Sequence, residues 1–214
     1  MFDLHIHSIY SDGSAKVDEI ARRAKEMGLK VIAIVDHSVE HRLGMDESKA
    51  KRRQEEIEEA MDRYDIKILS GIECGILPDG EIQLPDFDFD IIIASIHDFL
   101  SIDEYYSRIT RCLEKFGDVV DVLGHLHSER FGSAGRDYVL DVELIDLMLE
   151  TDTAVEINTS HMSPPIDFLE MCSGKPLKYS IGSDAHTLDR VGDVRWGFEM
   201  AKRYFKRGKP IINL

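Results

Sequence analysis

An α/β architecture with a parallel sheet is what the sequence dictates, on three grounds. Seven short apolar runs recur, at 2–7, 30–35, 66–72, 90–96, 119–124, 154–158 and 178–182, each closed by turn residues and usually followed by a stretch of helical spacing. Several of them, KVIAIV at 30–35 and DIIIASI at 90–96 among them, are apolar at nearly every position, as strands covered on both faces are. No GxGxxG or GKS/T pattern follows the first run, where an open doubly wound sheet usually carries its phosphate loop. A closed barrel places its chemistry at the carboxyl ends of many strands instead, which is a pattern the sequence can be searched for.

FDLHIHSIYSDG, residues 2–13, opens the chain with strand alternation: Phe2, Leu4 and Ile6 share one face, and Asp3, His5 and His7 share the other. Two imidazoles side by side can chelate one ion, and Asp12 reaches the same region if Gly13 turns the chain back. Val17, Ile20, Ala21, Ala24 and Met27 then follow helical spacing and stop at Gly28, which predicts an amphipathic helix with one face on the sheet. The second run leads into Asp36 and His37. The helix expected over 46–63 carries KAKRRQEEIEEAMDR and reads as a solvated face laced with i, i+4 ion pairs. IKILSGI ends at Glu73, DIIIASI at His97, and a helix is expected over 102–116. VVDVLG precedes His125 and His127, after which SERFGSAGR (128–136) leads to a helix over 140–150. AVEIN ends in Asn158 with His161 three residues on, and KYSIG precedes Asp184 and His186, before a last helix over 194–207.

Six of the seven expected strand ends thus carry a metal-capable side chain, and none of the nine histidines falls inside an expected helix. That distribution points to a convergent multi-metal site rather than to scattered surface histidines.

Composition bounds the partners. With 214 residues and 43% hydrophobic side chains, the chain fits a single domain over 1–214. A formal net charge of −15 argues against nucleic acid held through its phosphates and favours a small substrate. There is no stretch of about 20 apolar residues to span a membrane and no basic-then-apolar leader, so a cytoplasmic setting is expected. Cys74, Cys112 and Cys172 form neither a disulfide framework nor a CxxC pair and read as core residues. Nothing in the sequence sets an oligomeric state.

DLHIHSIYSDG, VDH at 35–37, GIE at 71–73, SIH at 95–97, GHLH at 124–127 and GSDAH at 182–186 resemble, in order, the motifs of the PHP (polymerase and histidinol phosphatase) family. The resemblance runs from residue 3 to about 193 and is nearest to the small stand-alone hydrolases related to histidinol phosphatase. It implies a distorted (β/α)7 TIM-like barrel and three divalent ions, zinc, manganese or iron. Position by position, it implies one ion on His5, His7, Glu73 and Asp184, a second on Glu73, His97 and His125, and a third on Asp12, His37 and His186. Glu73 would bridge the first two, and His5, His7, Glu73 and Asp184 would carry the catalysis. Val35 stands where the family often has threonine.

Two divalent ions about 4 Å apart can hold a water whose pKa falls towards neutrality, a nucleophile suited to phosphate esters. The resemblance therefore implies hydrolysis of a small phosphomonoester, histidinol phosphate being one candidate. The alternatives are a 3′–5′ exonuclease or phosphodiesterase on nucleic acid or nucleotides, and a non-catalytic scaffold subunit. For binding the phosphate or protonating the leaving oxygen, the candidates are His41, His127 and His161, with Arg130 and Arg136 on a glycine-containing lid and Arg190 after the last motif. Asp3 and Asp36, beside ligand histidines, are candidates for fixing their tautomers.

Overall fold

A computed structural model describes residues 1–212. The strands are β1 (Phe2–Ile6), β2 (Val31–His37), β3 (Lys67–Gly75), β4 (Ile91–Ser95), β5 (Phe99–Leu100), β6 (Val122–Leu123), β7 (Gly132–Ser133), β8 (Ala154–Asn158), β9 (Lys178–Gly182) and β10 (Lys209–Pro210). The helices are α1 (Val17–Glu26), α2 (Glu47–Tyr64), α3 (Ile102–Phe116), α4 (Tyr138–Glu150), α5 (Ile166–Cys172) and α6 (Arg195–Tyr204). Eight strands form one parallel sheet in the order β1-β2-β3-β4-β6-β8-β9-β10. Helices make the crossovers between most sheet neighbours, as parallel pairing requires. The sheet curls: beyond β9, Asp184 N donates to His5 O and His7 N to Ala185 O, both at 2.9 Å, so β1 is hydrogen-bonded on both edges.

All seven expected strands are present, and the sheet gains an eighth. β10 has two residues, one of them proline, so it offers no apolar run to read. The ribbon of β5 and β7, also two residues each, went unpredicted for the same reason, and α5 is too short at seven residues for helical spacing to show. Every residue of β1 and β2 is buried, which is why their sequences are apolar on the helix-facing side and carry histidines on the other. α1 buries Val17, Ile20, Ala21 and Ala24 and ends before Gly28, whose φ of +72° is the left-handed conformation that glycine adopts at no steric cost. α2 shows the solvated face expected of it, with the i, i+4 pair of Glu47 and Lys51, but its other face buries Arg53 along with Ala50, Ile57 and Ala60. Among the described residues, no helix is long and apolar enough to cross a membrane.

Candidate metal centre

β1 sets the centre's geometry. With side chains alternating across the strand, His5 and His7 point to the same side, fully buried, and their Nε2 atoms stand 3.1 Å apart. Glu73, at the buried end of β3, lies at the middle of the histidines. Its Oε1 is 3.2 Å from Nε2 of both His97 and His125, and its Oε2 is 3.0 Å from His37 Nδ1 and 3.6 Å from Nε2 of His5 and of His7. Asp184 approaches His7 Nε2 at 3.3 Å and His161 Nε2 at 3.2 Å. Asp12, on the turn after β1, lies 3.4 Å from His186 Nε2 and 3.6 Å from His37 Nε2.

The backbone is bent to reach this arrangement. His125 and Asp184 have φ of +26° and +52°, values that cost a non-glycine residue about 1–3 kcal/mol. Both are tied down: His125 N donates to Glu156 Oε2 at 2.7 Å, and Asp184 N to the His5 carbonyl. Gly182 is required by close packing, since a Cβ there would fall 2.4 Å from His5 Cβ and 2.5 Å from Glu156 Oε1.

These side chains fit divalent ions. Four ligands at about 2.1 Å in a tetrahedron are separated by roughly 3.4 Å, the spacing seen throughout the cluster. Ligand-capable atoms within 4.8 Å of one another fall into three groups: His7, Asp12, His37 and His186; His5, His7 and Asp184; and His37, Glu73 and His97. His7 Nδ1 and His37 Nδ1 are buried without a hydrogen-bond partner, although carboxylate oxygens lie nearby. Atoms that close but that poorly aligned converge on a shared point rather than on each other. The donor set is nitrogen and oxygen alone; Cys74, next to Glu73, is a buried thiol whose pKa burial pushes well up.

Electrostatics agree with that reading. Burial pushes the Glu73 carboxyl up, but His97, His5 and His37 outweigh it and hold the group well below its ordinary range. Burial lowers His7 to about 4, whereas His37, also pulled down by burial, is raised to about 10 by Glu73 and Asp12. Ionised carboxylates interleaved with imidazoles of opposed tendencies are an arrangement that a cation can complete by displacing protons.

The groups open into a cavity of ≈ 450 Å³, also lined by Glu40, His41, Ile76, Leu77, Arg130 and Phe131. His41 lies 4.5 Å from His37, its ring tilted by 32°, and His161 lies 5.3 Å from His125, ring centre to ring centre. Arg130, exposed, lies over Phe131, whose ring stands 5.7 Å from those of His97, His125 and His161. Three residues expected near substrate do not line this cavity. His127 is packed among Tyr105, Tyr106 and Phe168 with Nε2 3.0 Å from Asp141; Arg136 pairs with Asp141 and Asp167; and Arg190 pairs with Asp193 on the surface.

Neither Asp3 nor Asp36 holds an imidazole, contrary to expectation. Asp3 accepts from Ser183 N and Gly192 N, and Asp36 from Ser8 and Ser11, so both carboxylates tie loops together. The carboxylate that holds an imidazole of the cluster is Glu156, whose Oε1 is 2.6 Å from His5 Nδ1. Sequence reasoning passed over it, although a glutamate at the middle of the apolar run AVEIN was a signal for a buried, partnered carboxylate.

A curled parallel sheet with a cluster of nitrogen and oxygen donors at its strand ends could hold divalent cations, and the family and relatives that follow make the class that of the metal-dependent phosphoesterases. The chain belongs to the PHP domain family, whose profile matches residues 3–160. It is 29% identical over 222 residues to the DNA polymerase/3′-5′ exonuclease PolX of Bacillus subtilis, covering 99% of this chain but 38% of that protein. Over 212 residues it is 30% identical to a probable phosphatase of Caldanaerobacter subterraneus, covering 90% of this chain and 78% of that protein. Its fold is shared with the histidinol phosphate phosphatase of Lactococcus lactis, solved with zinc, L-histidinol and phosphate, at a TM-score of 0.72 and 18% identity over 97% and 95% of the two chains. It is also shared with a putative histidinol phosphatase of Listeria monocytogenes, at a TM-score of 0.63 and 15% identity over 90% and 97%.

Proposed function

We propose that this chain is a single-domain phosphomonoesterase with a distorted (β/α)7 barrel and a trinuclear metal site, acting on a small ester such as histidinol phosphate. The observation that carries the reading is Glu73, one buried carboxylate within 3.6 Å of five imidazoles from four strand ends. His5, His7, Glu73 and Asp184 would hold one ion, Glu73, His97 and His125 a second, and Asp12, His37 and His186 a third. His7 and His37 each lie in two of the ligand groups, which supports adjacent sites rather than separate ones. Zinc, manganese and iron suit this donor set, and the zinc of the Lactococcus relative supports the first.

Such ions, when bound, lower the pKa of water and offset negative charge on the phosphate and the leaving oxygen. The chain's own groups do the rest. Glu156 keeps His5 Nδ1 engaged so that Nε2 faces the cluster. Arg130, His41 and His161, at the mouth and wall of the cavity, bind the phosphate, and Phe131 shields the floor from bulk water. The cavity volume suits a small ester better than a polymer, and the net charge of −15 repels a polyanion.

Identity to PolX along nearly the whole chain favours a second reading, a 3′–5′ exonuclease or phosphodiesterase. Assaying phosphate release from phosphomonoesters beside digestion of single-stranded DNA, with protein of known metal content, separates the two. Turnover of a monoester alone supports the proposal; digestion of DNA with every monoester intact replaces it.

A further inference from the structure

One buried ion pair belongs to none of the ligand groups. Arg53 lies on the most charged helix of the chain, between Arg52 and Gln54, yet it is fully buried, and so is the Asp36 carboxylate that its Nη1 meets at 2.7 Å. Taking two charges out of water is so costly that apolar groups of the same volume often serve stability better. A role in holding something else in place is therefore the natural question.

Its partners answer it. Asp36 also accepts from Ser8 N and Ser8 Oγ, both at 2.8 Å, and from Ser11 Oγ at 2.7 Å. Arg53 is anchored on β3, with Nη2 3.0 Å from Ser70 Oγ and 2.5 Å from the Gly71 carbonyl. Ser8 follows His7, Ser11 precedes Asp12, and Asp36 precedes His37. Three of the four members of the group His7, Asp12, His37 and His186 are thus chain neighbours of atoms gathered on this one carboxylate. The other two ligand groups contain no Asp12 and no His186.

We propose that Arg53 is a positioning residue: by fixing Asp36 it holds the 8–12 turn and the end of β2 so that Asp12, His37 and His186, with His7 beside them, close on one divalent cation. The proposal rests on the metal-dependent reading of the centre. Arg53 does not line the cavity, so it touches neither cation nor substrate. Its planar fork bridges two strands at once, which a lysine ammonium at the same place does not.

The test is equilibrium dialysis of wild type, R53M and R53K against Zn²⁺, with bound metal measured directly and the far-ultraviolet circular dichroism and Tm followed in parallel. R53M is expected to stay folded with a lowered Tm, since the buried Asp36 loses its partner, and to bind one Zn²⁺ equivalent about 10–100-fold more weakly, the range for loss of a residue that orients ligands, with a smaller loss at the equivalents that share His7 or His37. R53K is expected to fall between. Unchanged Zn²⁺ binding by folded R53M overturns the proposal, as does equal weakening of every equivalent, which marks a general structural role. Should R53M not fold, Ser11→Ala decides: weakening of one equivalent supports the proposal, and wild-type binding overturns it. Wild-type protein that takes up no Zn²⁺ overturns the metal-centre reading and this proposal together, an outcome distinct from a failure of R53M alone.

Discussion

Glu156 Oε1 lies 2.6 Å from His5 Nδ1, and the other oxygen of the same carboxylate accepts the His125 backbone N–H at 2.7 Å. One fully buried side chain thus fixes an imidazole from β1 and the bend after β6. Glu156→Gln keeps the shape but removes the charge that holds His5. Metal affinity is expected to fall about 10–100-fold, with kcat falling alongside it. Zinc titration and steady-state kinetics on the same preparation check this, and unchanged affinity would remove Glu156 from the site.

The arginines separate by place. Arg130→Ala, at the cavity mouth, is expected to raise KM for a phosphomonoester by about 10-fold or more with Tm unchanged, since it loses only a charge-assisted contact to substrate. Arg136→Ala is expected to leave KM alone and to cost about 1–2 kcal/mol of stability, because the buried Asp141 loses its two-pronged partner. Denaturant unfolding and kinetics on both variants test the pair; a KM effect for Arg136→Ala would bring that residue back to the substrate.

Gly182 marks how closely the centre is packed. Ala at this position would press on His5 Cβ, which moves only with the backbone of β1, and on Glu156 Oε1, which His5 Nδ1 holds at 2.6 Å. Gly182→Ala is expected to lose about 1–3 kcal/mol of stability and to weaken metal binding; a variant as stable as wild type would show that the strand can shift.

Burial pushes the thiols of Cys112 and Cys172 up to about 12. Both should resist a thiol reagent at pH 8 in the native protein and react on unfolding, because the thiolate is the reacting form. The same shift gives a pH dependence. Above pH 9 the unfolded chain releases thiol protons that the folded chain keeps until about 12, so these groups make stability fall as pH rises through that window. Rapid native labelling at pH 8 would contradict this account.

The sequence made the strand ends legible because parallel strands repeat one signal, an apolar run closed by a polar residue. Alternation placed His5 and His7 on one face and the run ends placed Glu73 and Asp184 at the carboxyl ends of strands, while the grouping of the four on one ion came from the resemblance to the PHP family. Arg53 and Glu156 were not legible in the same way. A buried charge looks like a surface charge until its partner is known, and Asp36 and His5 lie 17 and 151 residues from theirs. Arg136 and His127 misled for the converse reason: residues suited to phosphate were drawn instead to a buried carboxylate, Asp141, on a neighbouring helix.

The central claim is that Glu73 gathers the cation centre on which hydrolysis depends, and phosphate release tests it most directly. Wild type and Glu73→Ala, each assayed for bound metal, are compared on a panel of phosphomonoesters that includes histidinol phosphate and mononucleotides. The account predicts turnover of at least one ester by wild type, with Glu73→Ala losing metal and at least about 1,000-fold in rate. A Glu73→Ala protein that keeps wild-type metal content and wild-type turnover would contradict it.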